Sequence, residues 1–131
     1  MNGRIDIVNR WITKADHDLG TAKITFEHIS EYHDTIAFHC QQAVEKYIKS
    51  ILIFFDIDFL HSHNLVYLLD LLKTKYQIED IWFYRASKLQ EYSVEIRYPD
   101  TIIELTNDDL IEAISIAEAF RVLALERIQK S

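Results

Sequence analysis

Ala37–Phe55, AFHCQQAVEKYIKSILIFF, is the stretch whose reading decides the fold. Laid out at about 100° per residue, Ile36, Cys40, Ala43, Val44, Tyr47, Ile48, Ile51 and Phe55 fall on one broad apolar face, which predicts a helix. Gln42, Glu45, Lys46 and Lys49 share the opposite side within an arc of roughly 100°. Glu45 precedes Lys49 by four residues, the order that favours an i,i+4 ion pair. Phe38 and Ile53 lie at the edges of this polar strip, where a solvated helix would carry charge. The pattern predicts a helix that is contacted from both sides.

Working outward, the 131 residues suffice for one domain (1–131) whose core needs neither metal nor disulfide. Two glycines and one proline are too few for a sheet with tight turns, and they argue for helices with short connections. The apolar share of 49% and charged share of 27% have the balance of a soluble globular protein. Cys40, the single cysteine, lies on the apolar face and is expected to pack as a small hydrophobe, with no internal disulfide. The N-terminal residues carry no signal-peptide pattern, and no apolar run reaches the roughly 18 residues of a membrane span. A cytoplasmic protein with no membrane partner is expected. The net charge of −7 lacks the basic field of a protein that holds nucleic acid by its phosphates. No DNA partner is expected, and any nucleotide contact has to rest on a local cluster of cations.

Along the chain, Ile5, Val8, Trp11, Ile12, Ala15, Leu19, Ala22, Phe26 and Ile29 keep helical spacing through about seven turns from Arg4 to Ile29. Arg10, Lys14, His17 and Glu27 occupy the other side of this first helix. Ser30–His33 reads as a short turn, with Asp34 or Thr35 capping the helix that contains the opening stretch. Two long helices joined this closely run antiparallel. Ser62 is the expected N-cap of a third helix carrying Leu65, Leu68, Leu69 and Leu72. Asp80 caps a fourth, with Trp82, Phe83, Ala86, Leu89, Ser93 and Ile96 apolar or small on one side, ending near Arg97-Tyr98 ahead of Pro99. Thr106 with Asp109 resembles a capping box for a last helix running to about Gln129 on Leu110, Ile114, Ala117, Leu123, Ala124 and Ile128. Arg121 breaks that stripe, either as a guanidinium that snorkels to water or as a paired group in an interface or site. The fold class is therefore all-α, a five-helix up-and-down antiparallel bundle.

The residues that carry chemistry are dispersed. Six histidines include His61-x-His63, but neither this pair nor His33 with His39 has a known ligand spacing, so no metal is assigned. No glycine-rich phosphate loop and no nucleophile with a spaced base is present. The candidate ligand-binding set is Gln42, Glu45, Lys46 and Lys49 on the second helix, His63 before the third, and Tyr92, Arg97 and Tyr98 at the end of the fourth. Together they supply cations, a guanidinium suited to phosphate, a titratable imidazole and aromatic faces. As a plain surface, the lysines are a solvated strip and His63 a hydrogen-bonding group.

Four segments carry a resemblance. They are W-x3-A-x2-DL-x2-A (Trp11–Ala22), QQAVEKYIKSIL (Gln41–Leu52), H-N-L-x2-L-L (His63–Leu69) and L-x2-Y-x4-RYP (Leu89–Pro99). In this order the chain resembles the HEPN family (higher eukaryotes and prokaryotes nucleotide-binding domain), in particular its small single-domain prokaryotic members. The resemblance implies a five-helix bundle akin to the substrate-binding helical domain of aminoglycoside nucleotidyltransferases, and a tendency to dimerise. It also implies pairing with a small separate nucleotidyltransferase in a two-component, toxin–antitoxin-like system. Many members are metal-independent ribonucleases with a late Arg-x4–6-His motif, which stabilises phosphorane charge and moves the 2′-hydroxyl proton. This chain departs from that pattern, because His63 is its last histidine. Arg10 and His17 have the spacing but lie in the first helix, where the family does not place the motif.

The expectation is a non-catalytic binding module for a nucleotide or a nucleotidyltransferase partner, homodimeric and without a cofactor. A ribonuclease toxin using His63 or His17 with an Arg from either subunit is the alternative, and only then is RNA a partner. A third reading is a purely structural dimerising partner.

Overall fold

The computed structural model describes residues 2–95 and 104–129. It contains five α-helices: α1 (Asn2–His28), α2 (His33–Phe54), α3 (Leu65–Leu71), α4 (Asp80–Glu95) and α5 (Asn107–Gln129). A single 3₁₀ turn, Leu72–Thr74, follows α3, and there is no strand among the described residues. The bundle is the expected up-and-down arrangement, and α2 is its axis, packed against each of the other four helices. Ile36, Val44, Tyr47, Ile48, Ile51 and Leu52 are fully buried along it. None of the helices described is long and apolar enough to cross a membrane.

The antiparallel pair α1–α2 has the most extensive packing. Ala15 and Ala22 on α1, with Ala37, Cys40 and Ala43 on α2, are completely buried. Their small side chains allow the close approach of two long helices. The connection between them is tight, with the Tyr32 N–H donating to Ile29 O at 3.0 Å. The expected cap differs. Tyr32 holds the N-cap position without a side-chain hydrogen bond, and Asp34 instead accepts from the N–H of Thr35 inside the first turn.

Helix α2 ends in a Schellman motif, in which Asp56 N–H donates to Ile53 O and Ile57 N–H to Leu52 O. Asp56 takes φ 56°, the left-handed conformation that Asp tolerates better than most residues. The chain then runs across the bundle to α3, whose N-cap is Asn64 rather than Ser62. Asn64 Oδ1 accepts from Tyr67 N–H at 3.0 Å, and Ser62 Oγ supports it by accepting from Asn64 N–H. Leu65, Leu68, Leu69 and Leu72 are buried as their spacing predicts. Asp80 is the first residue of α4 rather than its cap. The end of that helix near Arg97-Tyr98 lies outside the described residues. The capping box of α5 is complete: Asp109 Oδ2 accepts from Thr106 N–H at 2.9 Å, and Thr106 Oγ1 from Asp109 N–H at 3.2 Å. Cys40 packs in the core as expected, where burial and then the Glu118 charge push its thiol up to about 12.

Candidate functional site

The polar strip of α2 is covered. Glu45 and Lys49 are almost fully buried, which corrects the picture of a solvated row. Lys49 Nζ donates to Glu45 Oε2 at 2.9 Å, the pair that their spacing anticipates. The ammonium also lies 5.6 Å from the centre of the Trp11 ring on α1 and 5.9 Å from that of Phe59 in the α2–α3 connection. A charge this enclosed needs both the carboxylate and the aromatic faces to offset its lost hydration.

The other oxygen of Glu45 holds His63. Its Nδ1 stands 2.9 Å from Glu45 Oε1, and an ionised carboxylate requires the proton on Nδ1. Nε2 is thereby left as the acceptor nitrogen of the neutral ring, whose side chain is 59% exposed. The buried Gln41 amide donates to His63 O at 3.3 Å, and Gln42 donates to Gln41 Oε1 at 2.8 Å. His61 meets His63 edge-on at 5.4 Å. Two buried polar residues of α2, Gln41 and Glu45, thus fasten one exposed imidazole and the connection that carries it.

Lys46 turns the other way. It is paired with Asp18 of α1, whose Oδ1 also lies 2.8 Å from His39 Nδ1. Two residues earlier on α1, Asp16 Oδ1 accepts from the Tyr47 hydroxyl and, at 2.9 Å, from Arg121 Nε of α5. Arg121 is therefore a paired guanidinium, and the bond to Asp16 raises its pKa. Burial first, then the bond to Asp16, pushes the Tyr47 hydroxyl far above the ordinary tyrosine range. Consecutive residues Glu45, Lys46 and Tyr47 accordingly tie α2 to the α2–α3 connection, to α1, and to α1 with α5.

Tyr92 belongs to a different place. Its hydroxyl donates to Glu112 of α5 at 2.8 Å, and Glu112 is paired with Lys88 at 3.2 Å. Burial and Glu112 raise the Tyr92 pKa. Arg97 and Tyr98 lie outside the described residues. Of the candidate set, Gln42, Glu45, Lys49 and His63 come together in one network, Lys46 joins another, and Tyr92 a third. Asp16, Asp18, His39 and Gln41 were not anticipated. For Asp18 a signal exists, because Ala15, Asp18 and Ala22 share one stripe, so the carboxylate falls among buried alanines. Among the described residues, no three His, Cys, Asp or Glu side chains are grouped so that they could hold a metal ion.

Most residues of these networks lie in the segments that carry the resemblance, while His39, Phe59, Lys88, Glu112 and Arg121 lie outside them. The HEPN domain model matches residues 8–128. The chain belongs to the HEPN domain family. Among solved structures it is similar to ST0689, an archaeal HEPN homologue, at 26% identity and TM-score 0.75, over 92% of this chain and 97% of that one. It shares its fold with TT1696 from Thermus thermophilus, at 22% identity and TM-score 0.78, again over 92% and 97%. No curated protein matches it.

Proposed function

We propose that this HEPN domain is a non-catalytic binding module that works through protein partners. It is a homodimer that engages a small nucleotidyltransferase in a two-component, toxin–antitoxin-like system. The observation that carries this reading is the neutralisation of the α2 strip. Lys46 is paired with Asp18 and the enclosed Lys49 with Glu45, so neither is a free cation for a nucleotide phosphate. Elsewhere the fold leaves apolar surface open. Between α4 and α5, a groove of about 370 Å³ is lined by Ile81, Tyr84 and Ile111, all exposed, with Arg85, Asp108 and Glu112 at its rim. Apolar anchors within a polar rim suit a protein surface. Most of the α5 stripe is buried within the chain's own core, and Phe38 with the α4–α5 groove supplies the exposed apolar surface.

Co-purification with a small nucleotidyltransferase, and sedimentation of the chain alone, test the reading. A complex and a dimer are expected, both weakened by Ile111→Arg. A 15.5 kDa monomer that captures no nucleotidyltransferase overturns it.

One observation favours a second reading. The Glu45 carboxylate fixes the His63 tautomer and leaves Nε2 toward solvent, the arrangement of an imidazole that accepts a proton. Metal-free cleavage of RNA, lost in His63→Ala, would select the ribonuclease.

A further inference from the structure

The polar network of α2 ends outside the bundle, on a pair of imidazoles that face solvent. His61 and His63 lie in the α2–α3 connection, both exposed, and their rings meet at 5.4 Å with 76° between the planes. On a helix, side chains two residues apart would diverge. In this non-helical connection they come together, which the spacing alone does not reveal.

The two rings are held differently. The Glu45 side chain, only 4% exposed, stands 2.9 Å from His63 Nδ1 and keeps the proton there. His63 Nε2 is thereby a bare lone pair on the far side of the ring. The Gln41 amide donates to His63 O, and the Tyr67 hydroxyl accepts from Leu60 N–H at 3.1 Å, so the connection is fastened on both sides of His61. The His61 side chain makes no hydrogen bond or ion pair among the described residues. Its ring is free to turn a nitrogen toward His63 Nε2.

A buried carboxylate behind an imidazole, with the other nitrogen left bare, is the support that metal-binding histidines receive in general. We infer that His61 and His63 chelate one divalent transition-metal ion of the zinc type. The separation of the rings fits. With Zn–N bonds of about 2.0–2.1 Å, two imidazoles at a tetrahedral angle place their centres roughly 5 Å apart, against 5.4 Å here. Imidazole nitrogen suits zinc, copper or nickel, whereas magnesium and calcium take oxygen. The protein supplies two ligands, so water completes the coordination and the ion stays accessible from solvent. The net charge of −7 favours the approach of a cation, and Glu45 neutralises the Lys49 ammonium that shares it. No residue of the α4–α5 groove takes part, so this site and the partner reading fail independently. It competes with the ribonuclease reading, because an ion on Nε2 removes the proton acceptor.

Calorimetric titration of the tag-free, metal-stripped full chain with zinc chloride and with magnesium chloride provides the test. One saturable Zn²⁺ site per chain is expected, and no saturable Mg²⁺ binding. Each of His61→Ala and His63→Ala should weaken Zn²⁺ roughly tenfold or more, since even the outer partners of a metal ligand matter that much. His28→Ala, which deletes an exposed imidazole on α1, should leave it unchanged. His61→Ala removes a ring that bonds to nothing else in the fold, so its circular dichroism should match the parent's. Absence of saturable Zn²⁺ binding overturns the inference, as does equal binding by His61→Ala. Comparable binding of Mg²⁺ overturns it as well.

Discussion

Two faces of this bundle treat positive charge in opposite ways. On the strip of α2, Lys46 and Lys49 are enclosed and each is held by a carboxylate. On the outer row of α1, Arg10 and Lys14 are exposed and held by none. The first arrangement is structural, because a buried cation is tolerable only when its partner comes with it. The second adds little to the fold and remains open to solvent. Residue type alone does not separate them, since both are cations on a helix at one-turn spacing. The difference is what the neighbouring elements bring.

The largest effect expected from breaking this contrast is at Glu45. In Glu45→Ala the ammonium of Lys49 stays enclosed between Trp11 and Phe59 without its carboxylate. His63 also loses the group that orients it. A loss of about 3–5 kcal/mol is expected in urea unfolding. Replacing both members, as Glu45→Leu/Lys49→Met, should recover most of it, because the penalty comes from the orphaned charge rather than from the absence of the pair. A single variant that loses less than about 1 kcal/mol would show the strip to be wet, and the contrast with α1 would collapse.

Next in size is Tyr47→Phe, which removes one hydrogen bond to the Asp16 carboxylate and leaves Arg121 in place. Hydrogen bonds to charged groups contribute about 1.5–3 kcal/mol. The lower end is expected here, since Asp16 keeps a partner and is partly exposed. Thermal unfolding measures it. An unchanged midpoint would mean that the three-way tie between α1, α2 and α5 is ornamental.

The periodicity that predicts five helices is a local property, and it survives folding because each apolar stripe has one core to face. Caps are less legible where two candidates lie close. Ser62 and Asn64 both have capping side chains, and only the geometry of the α2–α3 connection selects Asn64. The site was partly legible. A helical wheel groups Gln42, Glu45, Lys46 and Lys49 correctly and anticipates the Glu45–Lys49 pair. It cannot show that Trp11 and Phe59 close over Lys49, or that Lys46 swings to Asp18. Arg121 stands out from its stripe at once. Its partner, Asp16, is 105 residues away, and nothing local announces a pairing of that range. Tyr92 likewise depends on the register of α4 against α5, which brings Glu112 to its hydroxyl.

A smaller effect is expected at the start of α5. Asp109→Ala removes the carboxylate that accepts from Thr106 N–H, at a cost of about 1 kcal/mol. The same carboxyl gives a pH signature. The Thr106 N–H, more than any other neighbour, holds its pKa below the ordinary aspartate value. Its contribution is therefore complete above the unfolded-state pKa of about 3.9 and lost as the pH falls through the lower folded value. Stability curves of the parent and Asp109→Ala should run apart at neutral pH and converge in acid. A gap that persists unchanged at pH 2 would assign the effect to something other than the ionised cap.

The smallest effect is expected on the outer row of α1. Arg10→Ala/Lys14→Ala removes two charges that have no partner in the fold, from exposed helical positions where alanine is the better helix former. The urea midpoint should shift by no more than about 0.5 kcal/mol in free energy, in either direction. Lys46→Ala, which removes only one cation from a helix, should cost about 1–3 kcal/mol, because Asp18 is then left mostly buried with His39 as its only partner. The two variants form a matched pair, with the same chemistry deleted on opposite sides of the α1–α2 seam. If the double variant on α1 unfolds as easily as Lys46→Ala, Arg10 and Lys14 support the helix. The outer row would then be part of the scaffold and not a free surface.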